Sequence, residues 1–156
     1  MFQFNISIDA KRWLRGNKQQ RKRIKNARME MSKGIAESIA GLARSNLATQ
    51  VSTHATGKLQ NSIRVERASG GYRVVADAKS PDNNYYAQYV EYGTGIYNER
   101  GNGRKTPWFY DHPKLGRIRT RGQRAKPFFN PAVRDVEFRS SKILRGVWAN
   151  RGLSSR

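Results

Sequence analysis

The 156-residue sequence contains no cysteine, which removes disulfides, thiolate metal sites and cysteine nucleophiles together. The fold has to hold by packing alone. Only two histidines are present, His54 in a polar connector and His112 in a turn-like "YDHPKLG". Neither has a partner at ligand or triad spacing, and the carboxylates are scattered singly, so no acid–base pair or metal cluster can be assembled from the sequence. The reading is of a non-enzyme without cofactor or metal. Glycine-rich "GTGIYNERGNG" and "ATGKL" lack the lysine-serine ending and the strand-to-helix setting of a phosphate loop.

Acidic residues are scarce: Asp+Glu number 11 against 31 Lys+Arg, a net charge of +20 and a pI of about 11.1. A field of that sign draws phosphate or an acidic protein face. Long hydrophobic runs are also missing, since no window approaches the roughly 18 apolar residues of a membrane span. "MFQFNISIDAKRW" places its charges after a short apolar run, the reverse of a secretory signal. A soluble protein made in a cytoplasm, with no membrane partner, is expected. With 37% hydrophobic residues and a mean hydropathy of -0.84, one core is expected, with some of the length in extended or flexible segments or buried only against other subunits.

What is present organises into a single domain, residues 1–156. Residues 1–18 are an N-terminal arm or strand, in which Phe2, Phe4, Ile6 and Ile8 alternate with polar neighbours; this suits a half-buried strand or an arm pairing with another subunit. Asp9 is a candidate cap for the basic run that follows, which includes Lys11, Arg12 and Arg15. Residues 19–92 hold a long helix, a hairpin and a short helix. The helix is predicted from about Gln19 to Thr49 by Ile24, Ala27, Met31, Ile35, Ile39 and Leu42 at spacings of three and four. Gly34 and Gly41 inside it imply close approach of another helix or strand, because each costs about 1 kcal/mol relative to alanine.

The best hairpin is "SIRVERASGGYRVVADA", turning at Gly70-Gly71. "YYAQYVEYG" then reads as a short helix ended by Gly93. Residues 93–126 read as a basic glycine- and arginine-rich loop; at about thirty residues it exceeds the usual limit of about 12–15, so it is functional, disordered or ordered by a neighbour. Residues 127–149 form the C-terminal helix segment, the helix itself predicted from about Pro131 to Ala149, with Asn130 as cap, Pro131 in the first helical position, and Val133, Val136, Ile143, Leu144 and Val147 on one face. Residues 150–156 read as a flexible tail. The fold class is α+β: a long N-terminal helix and a C-terminal helix packed on a small, mainly antiparallel sheet.

Three motifs occur in order. Thr56, Gly57, Leu59, Ser62 and Ile63 carry "TG-x-L-x-x-S-I"; Tyr86, Val90, Glu91, Tyr92, Gly93 and Thr94 carry "Y-x-x-x-V-E-Y-G-T"; Pro127, Phe128, Pro131 and Ala132 carry "P-F-x-x-P-A". Together, over about Ile24 to Ala149, they resemble the small neck or tail-completion proteins of long-tailed bacteriophages. The resemblance implies a non-enzymatic subunit of a homo-oligomeric ring, sixfold or twelvefold, around the DNA passage at the head-tail junction or proximal tail. It implies assembly in the host bacterial cytoplasm and partners in adjoining head-closure (stopper), tail-terminator or tail-tube proteins.

Within that reading Tyr89, Val90 and Tyr92 pack the short helix under the hairpin, and Glu91 ties to a nearby donor or arginine. Arg21, Lys22, Arg23, Lys25 and Arg28 on the helix, with Arg104, Lys105, Arg117, Arg119, Arg121 and Arg124 in the loop, are candidate contacts. Their target is either packaged double-stranded DNA or acidic faces of adjoining rings. A free-standing basic nucleic-acid-binding protein is the alternative, with Trp108, Phe109 and Tyr110 available to stack on bases.

Overall fold

Asn17 starts the long helix, its Oδ1 accepting the Gln20 N–H at 2.9 Å, which satisfies one of the amides left open in a first helical turn. The computed structural model describes residues 1–8, 17–50, 57–112 and 115–150; the side chains of 112, 141 and 143–150 fall outside that description. Asp9, Lys11, Arg12, Arg15, His54 and Thr56, and the tail beyond Asn150, therefore lie outside the described residues. Helix α1 runs Lys18–Gln50, and its buried stripe is Ile24, Ala27, Met31, Ser32, Ala36, Ile39, Ala40, Ala43 and Leu47. Ile35 and Leu42 pack at the margin, half-buried. The four alanines leave room for other elements to lie close on that face.

Gly34 and Gly41 behave differently from the expectation of close approach: nothing lies within 4 Å of a Cβ built on either. Their helical cost is therefore not returned inside the chain. Replacing each by alanine should raise stability by about 1 kcal/mol, read as a higher denaturation midpoint. An unchanged or lower midpoint would contradict it.

The sheet follows from the predicted alternation. Strands β2 (Ile63–Ala68) and β3 (Gly71–Ala76) form the hairpin, and β1 (Phe2–Ser7) lies antiparallel on the other side of β3, in the order β1-β3-β2. The opening segment thus pairs within its own chain. Register sets Phe4 and Val65 opposite Val74, and Phe2 and Ile63 opposite Ala76, so one sheet face is apolar and meets α1. The other face carries the charges around the buried Val75: Arg64 bridges Glu66 at 2.8 Å and Asp77 at 2.6 Å, and Arg73 reaches Glu66 at 2.7 Å. Hydrogen bonds from Arg73 and then Arg64 hold the Glu66 carboxyl below its ordinary range, and the Arg64 hydrogen bond does the same for Asp77. Charge on the edge strand β2 also discourages further strand pairing there.

The first motif forms a one-turn helix, α2 (Lys58–Ser62), leading into β2, with Leu59 buried. Helix α3 (Ala87–Tyr92) follows, and Gly93 ends it as expected, at φ 73°. Residues 93–126 are not one long loop. They contain a 3-10 turn at Gly95–Tyr97 and an antiparallel hairpin of β4 (Trp108–His112) and β5 (Gly116–Thr120). Pairing of Phe109 with Arg119 and Asp111 with Arg117 puts the charges on one face, and Trp108, Ile118 and Thr120, all half-buried, share the other. The arginines had hidden a period of two.

Helix α4 spans Phe129–Asn150, starting two residues before the predicted Pro131. Asn130 therefore sits in the first turn and is not its cap. Val133 and Val136 are buried as expected; the side chains of Ile143, Leu144 and Val147 lie outside the described residues. Phe128, Phe129, Ala132, Val133 and Val136 complete the core formed by α1 and the sheet. Among the described residues no helix is long and apolar enough to cross a membrane.

Candidate functional site

The second and third motifs meet at one side chain. Glu91 is fully buried, and its Oε2 accepts the backbone N–H groups of Phe128 at 2.9 Å and Phe129 at 2.8 Å while Oε1 accepts that of Asn130 at 2.8 Å. A helix start exposes amides that no helical carbonyl can reach, and it carries partial positive charge. One carboxylate from α3 thus caps α4 from 37 to 39 positions away in sequence. Its partner is a set of backbone donors, not an arginine.

The carbonyls of the same segment are held from the opposite side. Asn46 Nδ2 donates to Phe128 O at 3.0 Å and Gln50 Nε2 to Pro127 O at 2.9 Å, one helical turn apart on α1. Lys126 N–H donates to Val90 O at 2.8 Å. Phe2 packs edge-on against Phe129, with centroids 4.7 Å apart, and lies 6.2 Å from the Tyr92 ring. The N-terminal strand, the second motif and the third therefore converge in one clasp.

Past Tyr92 the clasp continues through the backbone. Thr94 N–H donates to Gln123 O at 2.8 Å, Gln123 N–H returns to Thr94 Oγ1 at 2.8 Å, and Ile96 N–H donates to Arg121 O at 3.1 Å. Two chain segments cross so closely that a Cβ on Gly95 would run into the Arg121 carbonyl. Glycines and threonine in "YGTG" are needed for that crossing. It anchors the β4–β5 hairpin.

Other motif residues have structural contacts as well. Tyr86 O accepts the Tyr89 and Val90 amides, starting α3, and burial raises its phenol above the ordinary value. Val90 packs on the core. Tyr92 lies under the Arg100 guanidinium at 3.6 Å, and Ser62 Oγ donates to Leu59 O at 2.8 Å. Tyr89 does not pack under the hairpin: it is 47% exposed.

The candidate contact cations fall on two elements. Arg21, Lys22, Arg23 and Lys25 are exposed on α1, whereas Arg28 is partly buried and donates to Gly70 O at 3.0 Å, fixing the first hairpin's turn. Arg104, Lys105, Arg117, Arg119, Arg121 and Arg124 are all exposed on or beside the second hairpin. Three of them lie over aromatic rings: Arg104 over Trp108, Arg117 over Phe109 and Arg124 over Tyr97. Phe109 and Tyr110 remain exposed.

Sequence reasoning missed Ser32, Asn46 and Gln50. Ser32 is buried, donating to Ile6 O at 2.9 Å and accepting Tyr72 N–H at 3.1 Å, which ties α1 to both β1 and β3. The available signal was a polar residue within, or continuing, the apolar stripe. Among the described residues no cluster of three metal-ligating side chains occurs.

The motif residues of the clasp hold backbone segments of the chain together. Residues 17–93 match the HK97-gp10-like family model, described as "Bacteriophage HK97-gp10, putative tail-component", and that part of the chain is similar to this family. A family of that kind is a virion family. The match takes in the first motif and the second as far as Gly93, so Thr94 and the third motif lie beyond it, and Glu91 joins the third motif to the matched segment. No curated protein and no solved structure matches the chain.

Proposed function

We propose that the protein is a non-enzymatic subunit of a closed ring, sixfold or twelvefold, in the neck or tail-completion layer at the head-tail junction, surrounding the DNA passage. The observation that carries this is the use of the motif. In a chain similar over residues 17–93 to a phage tail-component family, both Glu91 oxygens are occupied by backbone amides, leaving a scaffold in place of a reactive group. Adjoining stopper, tail-terminator or tail-tube proteins are the partners in this reading, and exposed cations on α1 and the second hairpin meet packaged DNA or acidic faces of those rings.

Cryo-electron microscopy of the purified protein and of virions, classified for rotational symmetry, tests it. A closed ring at the junction is expected. A monomer or dimer that is absent from virions and shifts duplex DNA would replace the proposal with a free-standing nucleic-acid-binding protein. Reversing Arg21, Lys22 and Arg23 to glutamate should weaken duplex binding at least about tenfold, with a shallower salt dependence, and leave oligomer size unchanged. Unaltered binding would direct these cations to a protein face.

A further inference from the structure

The second hairpin has two unlike faces. Trp108, Ile118 and Thr120 share the half-buried one, whereas Phe109, Asp111, Arg117 and Arg119 share the other and are all exposed. Residues 97–126 carry nine Lys or Arg against two carboxylates, Glu99 and Asp111. Among the described residues no cation of this segment forms an ion pair, while Arg64, Arg73 and Arg139 elsewhere are paired with carboxylates. The positive charge of the hairpin is not compensated within the chain.

The aromatic rings of the segment are already occupied. Arg117 lies over Phe109 at 4.9 Å, Arg124 over Tyr97 at 5.6 Å and Arg104 over Trp108 at 5.8 Å. Stacking uses the flat face of a guanidinium and leaves its N–H edge free to fork onto an oxyanion. A ring covered in this way orients its arginine and is a poor platform for a base. Side chains two apart on a strand lie about 6.8 Å from one another on the same face. Arg117 and Arg119, with Arg121 one step past the end of β5, thus form a row whose repeat is close to that of successive phosphates on a nucleic-acid strand.

We infer that the arginine face of the β4–β5 hairpin binds the phosphate backbone of duplex DNA through Arg117, Arg119 and Arg121, without reading sequence. The inference rests on the proposed function only in that exposed cations meet packaged DNA; ring closure is not needed for it. Composition of the face favours DNA over an acidic protein. Protein interfaces are depleted of charge at their centre and bury apolar side chains there, but this face offers Phe109 alone, beneath a guanidinium. Interfaces with DNA are polar and strongly positive. Asp111 is the one carboxylate on the face, so its balance stays positive.

The test is anisotropy titration of the full chain, over a range of salt, against two fluorescent DNA duplexes of unrelated sequence. Each phosphate contact contributes about 0.9 to the slope of log affinity on log salt, which at about 0.1 M salt is up to about eightfold in affinity. The triple variant Arg117→Gln, Arg119→Gln, Arg121→Gln should therefore bind at least about thirtyfold more weakly, with a slope shallower by about 2–3, equally on both sequences and with an unchanged melting curve. Lys33→Gln, Arg134→Gln and Lys142→Gln together remove the same charge from exposed helix positions and should weaken binding less than about threefold, as screened distant charges do. A hairpin variant that binds both duplexes no worse than this control would overturn the hairpin contact, and a ring seen by microscopy would still stand. Loss of binding to polyglutamate with duplex binding retained would overturn it in favour of an acidic protein face. A wild-type protein that binds neither duplex at low salt would overturn both this contact and the DNA role given to the cations on α1.

Discussion

Glu91→Ala should lower the unfolding midpoint by about 10 °C. The carboxylate accepts three backbone amides at the start of α4, and hydrogen bonds to a charged group contribute about 1.5–3 kcal/mol each when removed singly. They share one side chain, so their losses do not add. Removing one side of a buried charged arrangement costs about 3–5 kcal/mol, and a domain of this size shifts its midpoint by about 2–4 °C per kcal/mol. Alanine leaves the Phe128 and Phe129 amides in a buried place with no acceptor. Glu91→Gln keeps one oxygen but turns an NH2 toward a third donor, so an intermediate loss is expected.

A thermal melt and amide hydrogen exchange at residues 128–130 provide the measurement. Faster exchange there, together with the lowered midpoint, is the signature of a lost cap. A loss of under about 1 kcal/mol in Glu91→Ala would mean that the amides find other acceptors, against the expected cost of orphaned buried donors. The reading of the motif as structural would then have to be abandoned.

How much of this was legible beforehand differs by element. Helix α1 and the first hairpin were readable because their apolar residues recur at the spacing of the structure they form: Ile24, Ala27 and Met31 at helical intervals, Tyr72, Val74 and Ala76 at strand intervals. Gly93 was readable as a terminator. The β4–β5 hairpin was not, since its inward side chains, Trp108, Ile118 and Thr120, are few and separated by arginines. A two-stranded ribbon away from the core needs little apolar surface, and the signal is weak in proportion. The Glu91 cap was half legible. A buried carboxylate demanded donors, but their identity as amides beyond residue 127 depends on tertiary approach, which no local pattern encodes. Asn130 offered a local cap that the distant glutamate displaced.

Gly93→Ala tests the same clasp from its backbone side, and its expected loss is at least about 3 kcal/mol. Gly93 has φ 73° and ψ 178°, a region open in practice to glycine alone, where strain amounts to about 1–3 kcal/mol. Crowding comes on top. A Cβ there would lie 2.7 Å from Gln123 O and 2.8 Å from both Ala125 N and Tyr97 O. All three are backbone atoms, which cannot swing aside as a side-chain tip can. The segments would have to part, weakening the Thr94–Gln123 bonds that tether the second hairpin. A detached two-stranded hairpin is marginally stable in water, so trypsin should cut at its arginines at least about tenfold faster in the variant, local opening being what frees the strand backbone beside them for cleavage. Gly101→Ala provides the control, because Gly101 has a similar φ of 75° but nothing within 4 Å of a Cβ. If both variants lose the same stability, positive φ alone explains Gly93; if only Gly93→Ala opens the hairpin to trypsin, the close crossing is what the motif maintains.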